Sequence, residues 1–148
     1  VSTKAAAAAP RSAVEARFAR VLSVSPCART DHFMLHHVGP AQLSTGLDQD
    51  RPAIVDESPA PTWLGLVVPK RHAKRAVTRN LMRRQMRACM AQHGAGLPAG
   101  DWVLRLRKPY DRKQFASARS EALVACVRLE LQQLFERAGR QARRVAAA

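Results

Sequence analysis

The chain is short of acids, of cysteines and of long apolar runs. Of 148 residues only 11 are Asp or Glu, against 25 Lys or Arg. Clustered carboxylates, which two-metal nucleases need, are therefore hard to assemble. The three cysteines, Cys27, Cys89 and Cys126, are odd in number, far apart and without a CxxC pair. That pattern argues against a disulfide framework or a cysteine zinc site and fits a reducing compartment, the cytoplasm. No apolar run reaches the roughly 18 residues of a transmembrane helix. No HExxH, P-loop or GxGxxG occurs, and no serine or cysteine nucleophile motif is present. These absences leave no small-molecule substrate site to read.

What is present is an apolar fraction of 47%, enough for a core, and a net charge of +14. The length suits one domain. So large a positive excess favours a polyanionic partner, nucleic acid ahead of a membrane surface.

The charge is segregated. From Trp63 to Lys113 there are thirteen basic residues and two acids, Asp101 and Asp111, a net +11. Residues 40–61 run the other way, with Asp48, Asp50, Asp56 and Glu57 against Arg51 alone.

Residues 1–11 read as a disordered lead and 12–138 as one RNA-binding domain, interrupted by a Pro-rich acidic loop at 39–62. Residues 139–148 read as a frayed tail. Ser12 caps a first helix, with Glu15 completing a capping box, and Val14, Phe18 and Val21/Leu22 share a face. A short strand is expected near 22–24, then strands over 32–38 and 63–68. A basic turn from Lys70 to Lys74 leads into a helix from Arg75 to His93. A strand follows over 101–107, and a last helix over 114–138 ends at Gly139. The order α-β-β-β-α-β-α is that of an α+β sandwich.

The helix after the basic turn carries the chemistry. At 100° per residue Arg79, Arg83, Arg87 and Arg84 fall within an arc of about 140°. Val77, Leu81, Met82, Met86, Ala88 and Cys89 take most of the rest. Arginines at i, i+4 and i+8 with no acid nearby repel one another by a few tenths of a kcal/mol per pair. Backbone phosphates relieve that repulsion, and the guanidinium fork suits them. Asn80 adds an amide that can read a base or a 2′-hydroxyl.

The segment from Gly65 to Arg87, GLVVPKRHAKRAVTRNLMRRQMR, resembles the signature of the bacterial ribonuclease P protein subunit. That family has a G-L-x-V-x-K-K strand end, a basic crossover and a helix opening A-x-x-R-N-R-x-K-R-x-x-R. Ala76, Arg79, Asn80, Arg83, Arg84 and Arg87 stand in register. Leu81 departs from the family's second Arg, and Arg83 replaces its Lys. More weakly, Phe18 and Leu22 fit the first helix, Phe33-x-Leu35 the second strand, and Asp101 to Leu104 with Arg107 the fourth.

The resemblance implies a two-layer sandwich of the ribosomal-protein type with a left-handed β-α-β crossover. It implies a protein that binds a catalytic RNA through Lys70, Arg71, Lys74, Arg75, Arg79, Asn80, Arg83, Arg84 and Arg87. A separate cleft would hold the 5′ leader of precursor tRNA against Phe18, Leu22, His36, Arg105 and Arg107, with Phe18 as an aromatic platform. Hydrolysis would be done by the RNA with Mg²⁺ held mainly by the RNA; the protein itself would hold no catalytic group, and no metal-ligand set is readable on it. Two other readings stand beside this one. One is a structural RNA-binding protein of the ribosomal type, and the other a stand-alone nuclease using His36 or His37.

Overall fold

A computed structural model describes residues 12–39, 62–111 and 121–147. The expected lead and the acidic loop, apart from its end residues Gly39 and Thr62, lie outside the described residues. So does the stretch where the last helix was expected to begin.

The elements are α1 (Ala13–Leu22), β1 (Ala28–Arg29), β2 (Phe33–Val38), β3 (Trp63–Val67), α2 (Ala76–His93), β4 (Asp101–Leu106) and α3 (Glu121–Ala147). The expected order is the observed one. The Ser12 hydroxyl accepts the Glu15 N–H at 3.1 Å and starts α1 as the capping pattern predicts. The strand expected at 22–24 is absent, because Leu22 completes α1. The first strand is Ala28–Arg29, paired with Leu35 and Met34.

The strands form one sheet in the order β1-β2-β4-β3. β2 runs antiparallel to both β1 and β4, while β3 lies parallel to β4 in a register that sets Gly65 beside Val103. Parallel neighbours need a crossover, and α2 supplies it. The return into β4 turns on Gly100, whose φ of +134° suits glycine alone. A Cβ there would strike the Val38 carbonyl oxygen.

Strand alternation divides the core in two. Phe33, Leu35, Trp102, Leu104 and Leu106 face α2 and α3, where Met82, Met86, Cys89, Val127, Leu131 and Leu134 bury against them. Each such side chain contributes about 1.5–3 kcal/mol. The other face carries a smaller cluster of Val21, Val38 and Val103, edged by Phe18, Leu22, Val24, Trp63 and Val67. α1 therefore sits on the face opposite the two long helices.

Three helical expectations need correction. Val14 and Val77 are exposed at 56% and 41%, and Ala88 is exposed too. The buried stripe of α2 is only as wide as Met82, Met86 and Cys89, and Val77 and Ala88 lie well round the helix from it. The last helix does not end at Gly139 but runs on to Ala147. Gly139 does not take the left-handed conformation of a helix terminator. A helical glycine costs about 1 kcal/mol relative to alanine, and the Ala, Arg and Gln residues around it are strong helix formers.

Candidate RNA-binding surfaces

The basic turn is built tightly. The Pro69 carbonyl accepts the N–H groups of His72 at 3.0 Å and Ala73 at 3.1 Å, and Ala73 is buried. Lys70, Arg71, Lys74 and Arg75 are exposed around it. α2 then opens with Arg75 as its N-cap, no side-chain cap bond and no acid in its first turn. Its unsatisfied N–H groups and helix dipole add to the positive field.

Along α2, Asn80, Arg84 and Arg87 are exposed, whereas Arg79 and Arg83 are half-buried. Arg79 has a task within the fold. Its Nη1 donates to the carbonyls of Ala73 at 3.0 Å and Lys74 at 2.9 Å, so it folds back and pins the turn. Leu81, where the signature has a second Arg, packs against the main core.

The opposite face of the sheet holds the second surface. Phe18 of α1 meets Trp63 of β3 edge-on, with ring centroids 5.0 Å apart. The two rings stand over Gly65, where a Cβ would lie 2.5 Å from Phe18 and 2.7 Å from Trp63. Arg17 lies 4.8 Å over the Trp63 ring. It also grips Asp101 with two bonds, of 2.6 and 2.7 Å. This hydrogen bonding to Asp101 raises the Arg17 pKa further, against the opposing effect of burial.

Of the five expected cleft residues, Phe18, Leu22, His36 and Arg105 share this side of the sheet. His36 is floor rather than wall. It is 4% exposed, its Nδ1 donates to the Val24 carbonyl at 3.0 Å, and its buried Nε2 has no partner among the described residues. Arg107 is committed elsewhere, with Nη1 donating to the Thr30 carbonyl at 2.9 Å. His72, in the basic turn, is half-buried. Its pKa is lowered by burial and then by the charges of Arg71 and Arg105.

A histidine nuclease finds no geometry here. His36 and His37 point to opposite faces of the sheet, and His37 donates to the Ala99 carbonyl while stacking on Trp102. Among the described residues no three of His, Cys, Asp or Glu come together, and both oxygens of Asp101 are taken by Arg17. Cys27 and Cys89 are pushed up to about 11 by burial, which keeps them as unreactive thiols.

Sequence reasoning missed Arg17, Trp63 and Gly65 as parts of the second surface. Their contacts join segments far apart in the chain, and no local spacing announces them.

A small α+β fold with a basic crossover helix, and an aromatic pair on the opposite face of its sheet, fits the class of RNA-binding proteins. The ribonuclease P family profile matches residues 13–139. The ribonuclease P protein component of Burkholderia mallei (strain SAVP1) is 34% identical over 127 residues, 86% of this chain and 80% of that one. That of Paraburkholderia xenovorans (strain LB400) is 33% identical over 127 residues, 86% of this chain and 78% of its own. The Staphylococcus aureus RNase P protein structure superposes with a TM-score of 0.52 at 16% identity. It covers 82% of this chain and 87% of that one, and shows the shared fold. The chain belongs to the ribonuclease P protein family. RNA binding and a part in the 5′ processing of tRNA come with that membership. No helix among the described residues is long and apolar enough to cross a membrane.

Proposed function

We propose that this chain docks on the catalytic RNA of ribonuclease P through α2 and the turn before it, and holds the 5′ leader of precursor tRNA in the cleft under α1. The observation that carries the reading is the row of Arg83, Arg84 and Arg87 beside Asn80, on a helix with no acid in its first turn. Such a row is electrostatically unfavourable until phosphates meet it. The cleft offers what a single strand needs, an aromatic pair on the same sheet face as Arg105.

Hydrolysis belongs to the RNA on this reading, and Mg²⁺ is assigned to the RNA with it. The protein's residues bind, orient and screen phosphate repulsion. Free cysteines fit the reducing cytoplasm as the site of action.

The test is a separation of effects. Arg83→Ala/Arg84→Ala/Arg87→Ala should weaken binding to the catalytic RNA. Phe18→Ala should leave that binding intact and weaken capture of leader-bearing precursor relative to mature tRNA. If both variants lose the same function, the two-surface reading fails. A ribosomal role instead predicts co-sedimentation with ribosomal subunits and no stimulation of the catalytic RNA.

A further inference from the structure

α3 outruns the body it packs on. Arg128 reaches Gln85 of α2, and Phe135 lies against His93 at the end of α2, so the two helices run in the same direction. Among the described side chains Ala138 is the last buried residue of α3. From Arg140 onward the helix is largely exposed, with Arg140, Arg143 and Arg144 and no acid after Glu136.

Where α3 leaves α2 there is an open groove of about 380 Å³. Its lining includes His93, Phe135, Glu136, Gly139, Arg140 and Arg143. Gly139 forms its open stretch, since a Cβ there would meet nothing within 4 Å. The His93 ring stacks near-parallel on the buried Phe135, 20° between planes and 6.2 Å between centroids, and is itself only half-buried.

The arginines complement the helix C-terminus, but that accounts for the last turn only. Arg140 lies before it and has Glu136 four residues back, but Arg143 and Arg144 have no acid at i−3 or i−4 and stand against Arg140 at those spacings.

We propose that this groove is a second RNA contact, taking one unpaired nucleotide with its phosphate on Arg140 and Arg143 and its base against His93. Glu136 faces the same groove and can accept a hydrogen bond from a base amino group while disfavouring a closer phosphate. The site lies at the far end of α2 from the basic turn, outside the docking row and the leader cleft. It rests on the reading of the RNA partner above only in the choice of probe.

The experiment titrates full-length chain into transcribed bacterial ribonuclease P RNA over a series of KCl concentrations. Arg140→Gln/Arg143→Gln should weaken binding several-fold and reduce the salt slope by about one to two units. Gly139→Leu keeps every charge and favours the helix, yet it fills the groove and should also weaken binding several-fold, with thermal stability unchanged or raised. Both variants binding within about twofold of the parent, with an unchanged salt slope, would overturn the proposal. So would a Gly139→Leu protein that binds normally beside an arginine variant that does not, since that marks a diffuse charge effect and no groove. Arg83→Ala/Arg84→Ala/Arg87→Ala runs alongside and reports on the docking row alone. The groove is decided by the α3 variants whichever way that control behaves.

Discussion

Arg17 and Asp101 form a two-bonded pair, at 2.6 and 2.7 Å, between α1 and the first residue of β4. Asp101 is 1% exposed, so this pair clamps the helix that carries Phe18 onto the sheet. Arg17→Leu leaves a buried carboxylate unpaired. The expected loss is about 1–3 kcal/mol, below that of a fully buried pair because the arginine side chain is 40% exposed. Urea unfolding checks it. In a double-mutant cycle Arg17→Leu/Asp101→Asn should cost less than the two single changes together.

Gly65 is where the cleft's aromatic pair needs the absence of a side chain. Gly65→Ala pushes a methyl group into Phe18 and Trp63. We expect about 1–3 kcal/mol of destabilisation from overpacking. Affinity for leader-bearing precursor tRNA should fall, while affinity for the catalytic RNA stays near that of the parent. Paired binding titrations separate the two.

Arg79 should behave unlike its neighbours on α2. Its bonds to the carbonyls of Ala73 and Lys74 hold the turn, so Arg79→Ala is expected to cost about 1–2 kcal/mol of stability and to speed amide exchange in the turn. Arg79→Lys should rescue poorly, since one ammonium replaces a planar fork. Arg84→Ala and Arg87→Ala, both exposed, should instead lower the salt slope of RNA binding by about one unit each with little change in stability.

Glu130 gives the fold an acid-sensitive joint. Burial raises its pKa, but hydrogen bonds from the Thr30 hydroxyl and from the His32 ring and N–H outweigh burial, and the net shift is downward. A carboxylate with a lowered folded pKa stabilises fully above its ordinary value of 4.5. That stability is lost as pH falls through the folded value. Glu130→Gln should therefore lower stability at neutral pH and lose less on acidification to about pH 3. Urea midpoints across that range check the sign.

Much of this was legible in the sequence because it is local. The Ser12 cap, the strand stopped before Pro69 and the spacing of Arg79, Arg83 and Arg87 all act within a few residues. Resemblance then supplied the cleft, and it placed Phe18, His36 and Arg105 on one side of the sheet. Long-range partners were not legible. Arg17 reads as one more arginine until β4 brings Asp101 to it, and His36 reads as a cleft wall until the Val24 carbonyl draws it down. Gly139 reads as the end of α3, but local punctuation there loses to the helix propensity of its neighbours.

On the function proposed above, the protein serves an RNA that does the cutting. The direct measurement is 5′-leader removal from precursor tRNA at low Mg²⁺, with the chain alone, a bacterial ribonuclease P RNA alone, and both together. No cleavage is expected from the chain alone, little from the RNA alone at that Mg²⁺, and efficient cleavage from the pair. Cleavage by the chain after all RNA has been removed, or no gain when the two are combined, would contradict it.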